Sequence, residues 1–184
     1  YLCKMNNLDL FIQNTEDPDV NFAMAQEYEA QGQTGAAVSF YLRTAERSTT
    51  DLQQYHALLR MALCFEKQKL RDDTESVILQ KAIGLMPRRP EAYFLLSRFY
   101  EQNAEWQKCY TFSEMGLIHT DHNTSLPAKT DYVGKFTLLF EKAVSGWWVG
   151  RKEESKQIFN QLLDSDITEE YRKAIEYNMA IIDN

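Results

Sequence analysis

The feature that most constrains this chain is an internal repeat of about 34 residues, the period of a stacked helix–turn–helix unit. Its clearest copy lies in Pro18–Thr49, where Ala25, Tyr28, Gly32, Ala37 and Tyr41 are spaced along two short helices. Small residues let antiparallel helices approach, and aromatic side chains fill the space between them. Gly32 falls where the first helix should end, a place that often requires a left-handed backbone. Asp17 or Asp19, beside Pro18, provides the start signal. A unit of this size leaves one face of its helices uncovered, so it must stack on a neighbour to bury it.

The pattern returns three times. In the second copy Met61, Ala62 and Phe65 repeat the first-helix face, Leu79, Ala82 and Ile83 the second, and Pro87 closes the unit. One extra residue in the turn 68–74 keeps its halves in phase. The third copy opens with Pro90-Glu91-Ala92-Tyr93, continues through Leu96, Ser97 and Tyr100, puts Cys109 in the small-residue place and ends its second helix at Gly116-Leu117. The fourth starts near Tyr132 and carries Ala143, Gly146, Gly150, Ser155 and Phe159. The repeats thus cover about 18–50, 51–87, 90–118 and 132–164 of a single 184-residue domain. Flanking helices are expected over 2–13 and 168–182, the second carrying Tyr171, Ile175, Met179 and Ile182 at helical spacing. It is either the first helix of a fifth unit or a cap on the fourth. The polar stretch 118–130, with Asn123, Ser125 and Pro127, reads as an inserted loop.

Four copies in register resemble the tetratricopeptide repeat. The resemblance implies an all-α fold: a right-handed superhelix, an α–α solenoid of antiparallel helix pairs, whose first helices line a concave groove that takes a protein or peptide ligand. Only 7 Gly and 4 Pro in the chain suit helices joined by short turns. Helical geometry then selects the inward positions. They are Phe22, Gln26 and Glu29; His56, Leu59, Leu63 and Glu66; Phe94, Arg98 and Glu101; and Phe140, Val144, Trp147 and Trp148. Aromatic and arginine side chains are frequent binding anchors. A clamp for two carboxylates needs a Lys and Asn pair one turn apart, and no first helix here has it.

Other function classes find little support. The net charge of -7 and a lone Arg88-Arg89 pair, with Arg98 further on, do not make a nucleic-acid footprint. No apolar run reaches the roughly 20 residues that span a bilayer. Cys3, Cys64 and Cys109 are scattered, which excludes a zinc framework and suits buried thiols in a reducing, cytoplasmic setting. His119-Thr120-Asp121-His122 is the one group of metal-type ligands, and it reads as solvated loop. Asp17-Pro18-Asp19 and Asp164-Ser165-Asp166 fall at helix boundaries, where aspartate caps. No phosphate loop or nucleophile elbow is present, so the segment is expected to be no enzyme, with no cofactor, metal or membrane partner.

A narrower resemblance begins at Pro87-Arg-Arg-Pro-Glu-Ala-Tyr-Phe-Leu-Leu-Ser-Arg-Phe-Tyr100 and Trp106-Gln-Lys-Cys-Tyr-Thr-Phe112, and continues at Val144-Ser-Gly-Trp-Trp-Val-Gly-Arg-Lys-Glu-Glu-Ser155. These runs, and the insertion between them, are similar to the repeats beside bacterial and viral glycosyltransferase domains. Trp147 and Trp148 replace that family's tyrosines. The resemblance implies a non-catalytic segment next to a sugar-transferring domain in the same chain. Two alternatives stay open: an accessory region of a glycan acceptor site, with Trp147 and Trp148 as a stacking platform, and a self-association module.

Overall fold

A computed structural model describes residues 6–69, 72–124 and 130–182. Cys3, the start of the 2–13 segment, part of the turn at 68–74, and Ser125 and Pro127 of the inserted stretch lie outside the described residues. The described residues form ten helices, and the chain divides into two compact units, Tyr1–Met86 and Pro87–Asn184.

The first unit contains α1 (Asn7–Gln13), α2 (Pro18–Ala30), α3 (Thr34–Arg47), α4 (Asp51–Gln68) and α5 (Asp72–Leu85). Each of these helices packs on the next in the sequence. The start of α2 shows why. Asp17 accepts the Asp19 N–H at 2.9 Å and the Val20 N–H at 3.3 Å, while Pro18 occupies the first turn, where its missing N–H costs nothing. Ala25, Ala37 and Tyr41 are buried where α2 meets α3, and Tyr55, Met61, Ala62 and Phe65 continue the core along α4. Thr50 caps α4 by accepting the Gln53 N–H at 3.3 Å.

The second unit contains α6 (Glu91–Gln102), α7 (Trp106–His119), α8 (Lys135–Trp148), α9 (Lys152–Leu163) and α10 (Glu169–Ile182). Here α6 packs on α7, α7 on α8, α8 on α9, and α6 also meets α8 directly. Gly116 makes the close approach possible. A Cβ there would sit 2.8 Å from the Tyr93 Cβ and 3.1 Å from a Leu138 methyl. It stands inside α7 rather than at its end, which corrects the expectation of a terminating glycine. Ala143, Ile158, Phe159, Leu162 and Ile175 form the core of the last helices, with Met179 and Ile182 of α10 packed against it. Within this unit α10 therefore covers the α8–α9 pair. Its other face leaves Tyr177 and Ile181 exposed.

One turn geometry recurs. After α2, α6 and α8 the chain enters the left-handed region, at Gly32 (φ 75°), Ala104 (φ 54°) and Gly150 (φ 85°). In each case the next residue's N–H (Gln33, Glu105, Arg151) reaches back to the carbonyl of Tyr28, Tyr100 or Gly146, at 2.9, 2.8 and 2.8 Å. These bonds satisfy carbonyls that the helix end would otherwise leave open. Glycine supplies this conformation freely at two of the turns, and Ala104 adopts it despite its Cβ.

Candidate functional site

In the first unit Glu29 of α2, one of the residues expected to line the groove, is held in an ion cluster with Tyr41 of α3 and Arg60 and Lys67 of α4. Glu29 accepts hydrogen bonds from Tyr41 Oη at 2.8 Å, Arg60 Nε at 3.0 Å and Lys67 Nζ at 2.8 Å, with a further short contact from Arg60 Nη2. Burial alone would push its carboxyl up, but the bonds from Arg60, Lys67 and Tyr41 outweigh that and hold it below the usual range. Tyr41 moves the other way, driven up by burial and by the Glu29 charge. Phe22 lies edge-on to Tyr41 with centroids 5.4 Å apart, and its ring is 6.5 Å from that of His56. Gln26 is exposed, whereas His56 and Glu66 are half-buried. Leu59 and Leu63, at 1% and 6% exposure, belong to the core and offer a ligand almost no surface. Arg60 and Lys67 went unpredicted, because the carboxylate that engages them is 31 and 38 residues away.

In the second unit most of the residues expected to line the groove on α6 and α8 are half-buried. Arg98 holds its guanidinium 5.3 Å over the Phe94 ring and donates from Nη1 to Asp131 at 2.7 Å. Phe94 itself is only 1% exposed, so it supports Arg98 from below instead of meeting a ligand. The Tyr132 ring packs 5.9 Å from Phe94, and its hydroxyl lies 2.9 Å from His122 Nδ1. Phe140 is half-buried, edge-on to Tyr171 at 5.1 Å and to Phe159 at 6.2 Å. Val144 and Trp147 are half-buried, and Lys152 Nζ stands 4.5 Å over the Trp147 ring. Trp148 points elsewhere. It is 61% exposed and stacked on Trp106 at 5.3 Å, so the two adjacent tryptophans do not form one platform.

Two acids stand beside Arg98. Glu101 is half-buried, and burial pushes its carboxyl above the usual range. Glu141 is 4% exposed and pushed up to about 8, by burial first and by the Glu101 charge second, against the pull of Arg98. Its carboxylate oxygen is 3.9 Å from Cys109 Sγ. At neutral pH Glu141 is thus held mainly in its uncharged form.

The remaining candidate groups have structural employment. His122 is tied on both ring nitrogens, to Tyr132 and to the Leu117 carbonyl at 3.4 Å, and is not solvated loop as expected. His119 is exposed, and Asp121 Oδ1 accepts the Asn123 N–H at 3.0 Å. Among the described residues no three His, Cys, Asp or Glu side chains gather as a metal site would need. Arg89 donates to buried Glu91 at 2.7 Å. Asp164 sits at the C-terminal end of α9, not at a helix start. Arg172 closes that end by donating to the Leu163 carbonyl at 2.9 Å. Burial pushes the Cys64 thiol up to about 11 and Cys109 further, so neither is a thiolate nucleophile at neutral pH.

No protein-family model and no curated protein matches the sequence. Solved structures do match in fold. MamA superposes with a TM-score of 0.67 at 15% identity, over 91% of this chain and 86% of its own. PilF of Pseudomonas aeruginosa gives 0.65 at 9% identity, over 86% of this chain and 65% of its own. A thermophilic tetratricopeptide repeat protein of Thermus thermophilus gives 0.60 at 15% identity, over 96% and 86%. The fold is therefore the all-α helix-pair solenoid of the tetratricopeptide type. At these identities the likeness speaks to fold alone. No helix is long and apolar enough to cross a membrane among the described residues.

Proposed function

We propose that this chain is a scaffold that binds a protein or peptide segment on the inward residues of its first helices and carries out no catalytic step. The observation that carries the reading is the direct packing of α6 on α8. It brings together the two helices that carry Arg98, Glu101, Phe140, Val144 and Trp147, all partly exposed, and so supports reading these cationic, acidic, aromatic and apolar side chains as one binding face. Gln26, Phe22, His56 and Glu66 offer a second, smaller set on α2 and α4. A photo-crosslinking amino acid at position 26 or 147 tests this against the exposed outward positions Glu46 and Asn160. Capture of the same protein at the inward positions only is the expected result; capture at Glu46 and Asn160 alone would defeat the reading.

The proposal extends to setting: a non-catalytic segment of a glycosyltransferase-like polypeptide, in the cytoplasm. The wording of residues 87–112 and 144–155 supports the first part, and buried Cys64 and Cys109 the second. Sequencing the gene around the segment tests it, because an adjacent domain with an Asp-x-Asp motif is required. Exposed Trp148 keeps a glycan acceptor role in view, with titration of its fluorescence by oligosaccharides as the check. Exposed Tyr177 and Ile181 on α10 favour self-association as a further role, for which light scattering must show dimers.

A further inference from the structure

We infer that Asp131 and Tyr132 are an internal stand-in for the segment that the α6 face binds, and that the partner segment carries a carboxylate next to an aromatic ring. The inference rests on the scaffold reading above and specifies its ligand. Arg98 is prepared for such a group. Its flat guanidinium lies on Phe94 at 5.3 Å, leaving its edge directed at Asp131 Oδ2, 2.7 Å away. An arginine braced on a ring in this way recognises carboxylates by fork geometry as well as charge. The following residue, Tyr132, packs its ring against the same Phe94 at 5.9 Å. Acid and aromatic neighbours in sequence therefore read two neighbouring features of one helix.

The stand-in is built to exchange. Residues 130–134 carry no helix or strand, and Asp131 remains 61% exposed on its side chain while paired. Exposed ion pairs of this kind contribute little and are readily traded for an equivalent partner. Tyr132 is the firmer half, buried and anchored through its hydroxyl to His122. Of the two acids beside Arg98, Glu141 is buried and held mainly uncharged at neutral pH, which leaves Glu101 as the charge an incoming acid must meet there. Tyr171, half-buried on α10 and edge-on to Phe140 at 5.1 Å, extends the aromatic surface along α8.

The test uses the full chain and a fluorescein-labelled peptide, Thr-Asp-Tyr-Val-Gly, copying residues 130–134. A control peptide has Asn in place of Asp. Removal of the internal competitor in Asp131→Ala should tighten binding of the Asp peptide about fivefold in fluorescence polarisation. The control should gain nothing, and Arg98→Gln should abolish binding. Asp131→Asn serves if the alanine variant melts early. Equal affinity of wild type and both variants, equal binding of the two peptides, or no binding by any form would overturn the inference. If crosslinkers at position 147 still capture a partner, only the acidic-aromatic assignment fails. If capture at positions 26 and 147 is absent as well, the scaffold reading fails with it.

Discussion

Glu141→Gln should remove a pH dependence that the second unit carries at neutral pH. The native carboxyl sits at about 8 against an ordinary 4.5, because it is buried and faces Glu101. The unfolded chain ionises it from about pH 4.5, whereas the folded chain holds the proton until about 8, so unfolding releases a proton across that window. The sign follows. Stability is highest below the unfolded value, falls as pH rises, and levels off above 8. Each pH unit is worth about 1.4 kcal/mol, so the whole window amounts to roughly 3–5 kcal/mol.

Other groups near Glu141 are Glu101 and Arg98 on α6, Cys109 on α7 and Tyr171 on α10. Glu101 is also raised and adds a slope of the same sign, which the variant keeps. Glu29 and Glu154, despite burial, are lowered by their cation and tyrosine hydrogen bonds, so their contributions change below pH 4.5. His122 is lowered by burial and acts below 6.5, where acid destabilises the fold. The clean interval is therefore pH 6.5–8. Urea denaturation across it should show the wild type losing about 2 kcal/mol more than the Gln variant, which keeps only the slope that Glu101 adds. Parallel curves for the two proteins would refute the assignment of an uncharged buried Glu141.

Three further substitutions test the packing. Gly116→Ala should destabilise by about 1–3 kcal/mol in the same assay, because its Cβ would meet the Tyr93 Cβ at 2.8 Å. Ala104→Gly should raise stability by about 0.5–1 kcal/mol by relieving the left-handed strain that Gly32 and Gly150 avoid; a lower melting temperature would contradict this. Glu29→Gln should cost about 3 kcal/mol, since it leaves Arg60 partly buried beside a neutral group, and a loss under 1 kcal/mol would show that the cluster is solvated.

Much of this architecture was legible in residue spacing, and the exceptions have physical causes. Gly32 and Gly150 announced two of the repeated turns, and Asp17 with Pro18 announced the start of α2. The third turn was silent because Ala104 fills the left-handed position, where residue type gives no cue. Gly116 was misread because a glycine near a helix end looks the same whether it stops the helix or admits a neighbour. Helical periodicity gives the direction of a side chain but not its depth, so Leu63 and Phe94 looked like surface and proved to be core. The Glu29–Arg60–Lys67 cluster and the Arg98–Asp131 pair join residues more than 30 positions apart, a separation that no local pattern spans.

The central claim is that recognition takes place on the inward face of the first helices. Amide hydrogen exchange of the full chain, with and without the protein captured at position 147, addresses it most directly. Partner-dependent slowing is expected in α6 and α8, around Arg98 and Trp147, with α7 and α9 unchanged. Slowing confined to α7 and α9, or to the Tyr177–Ile181 face of α10, would contradict it and place the binding surface on the opposite side of the helix pairs.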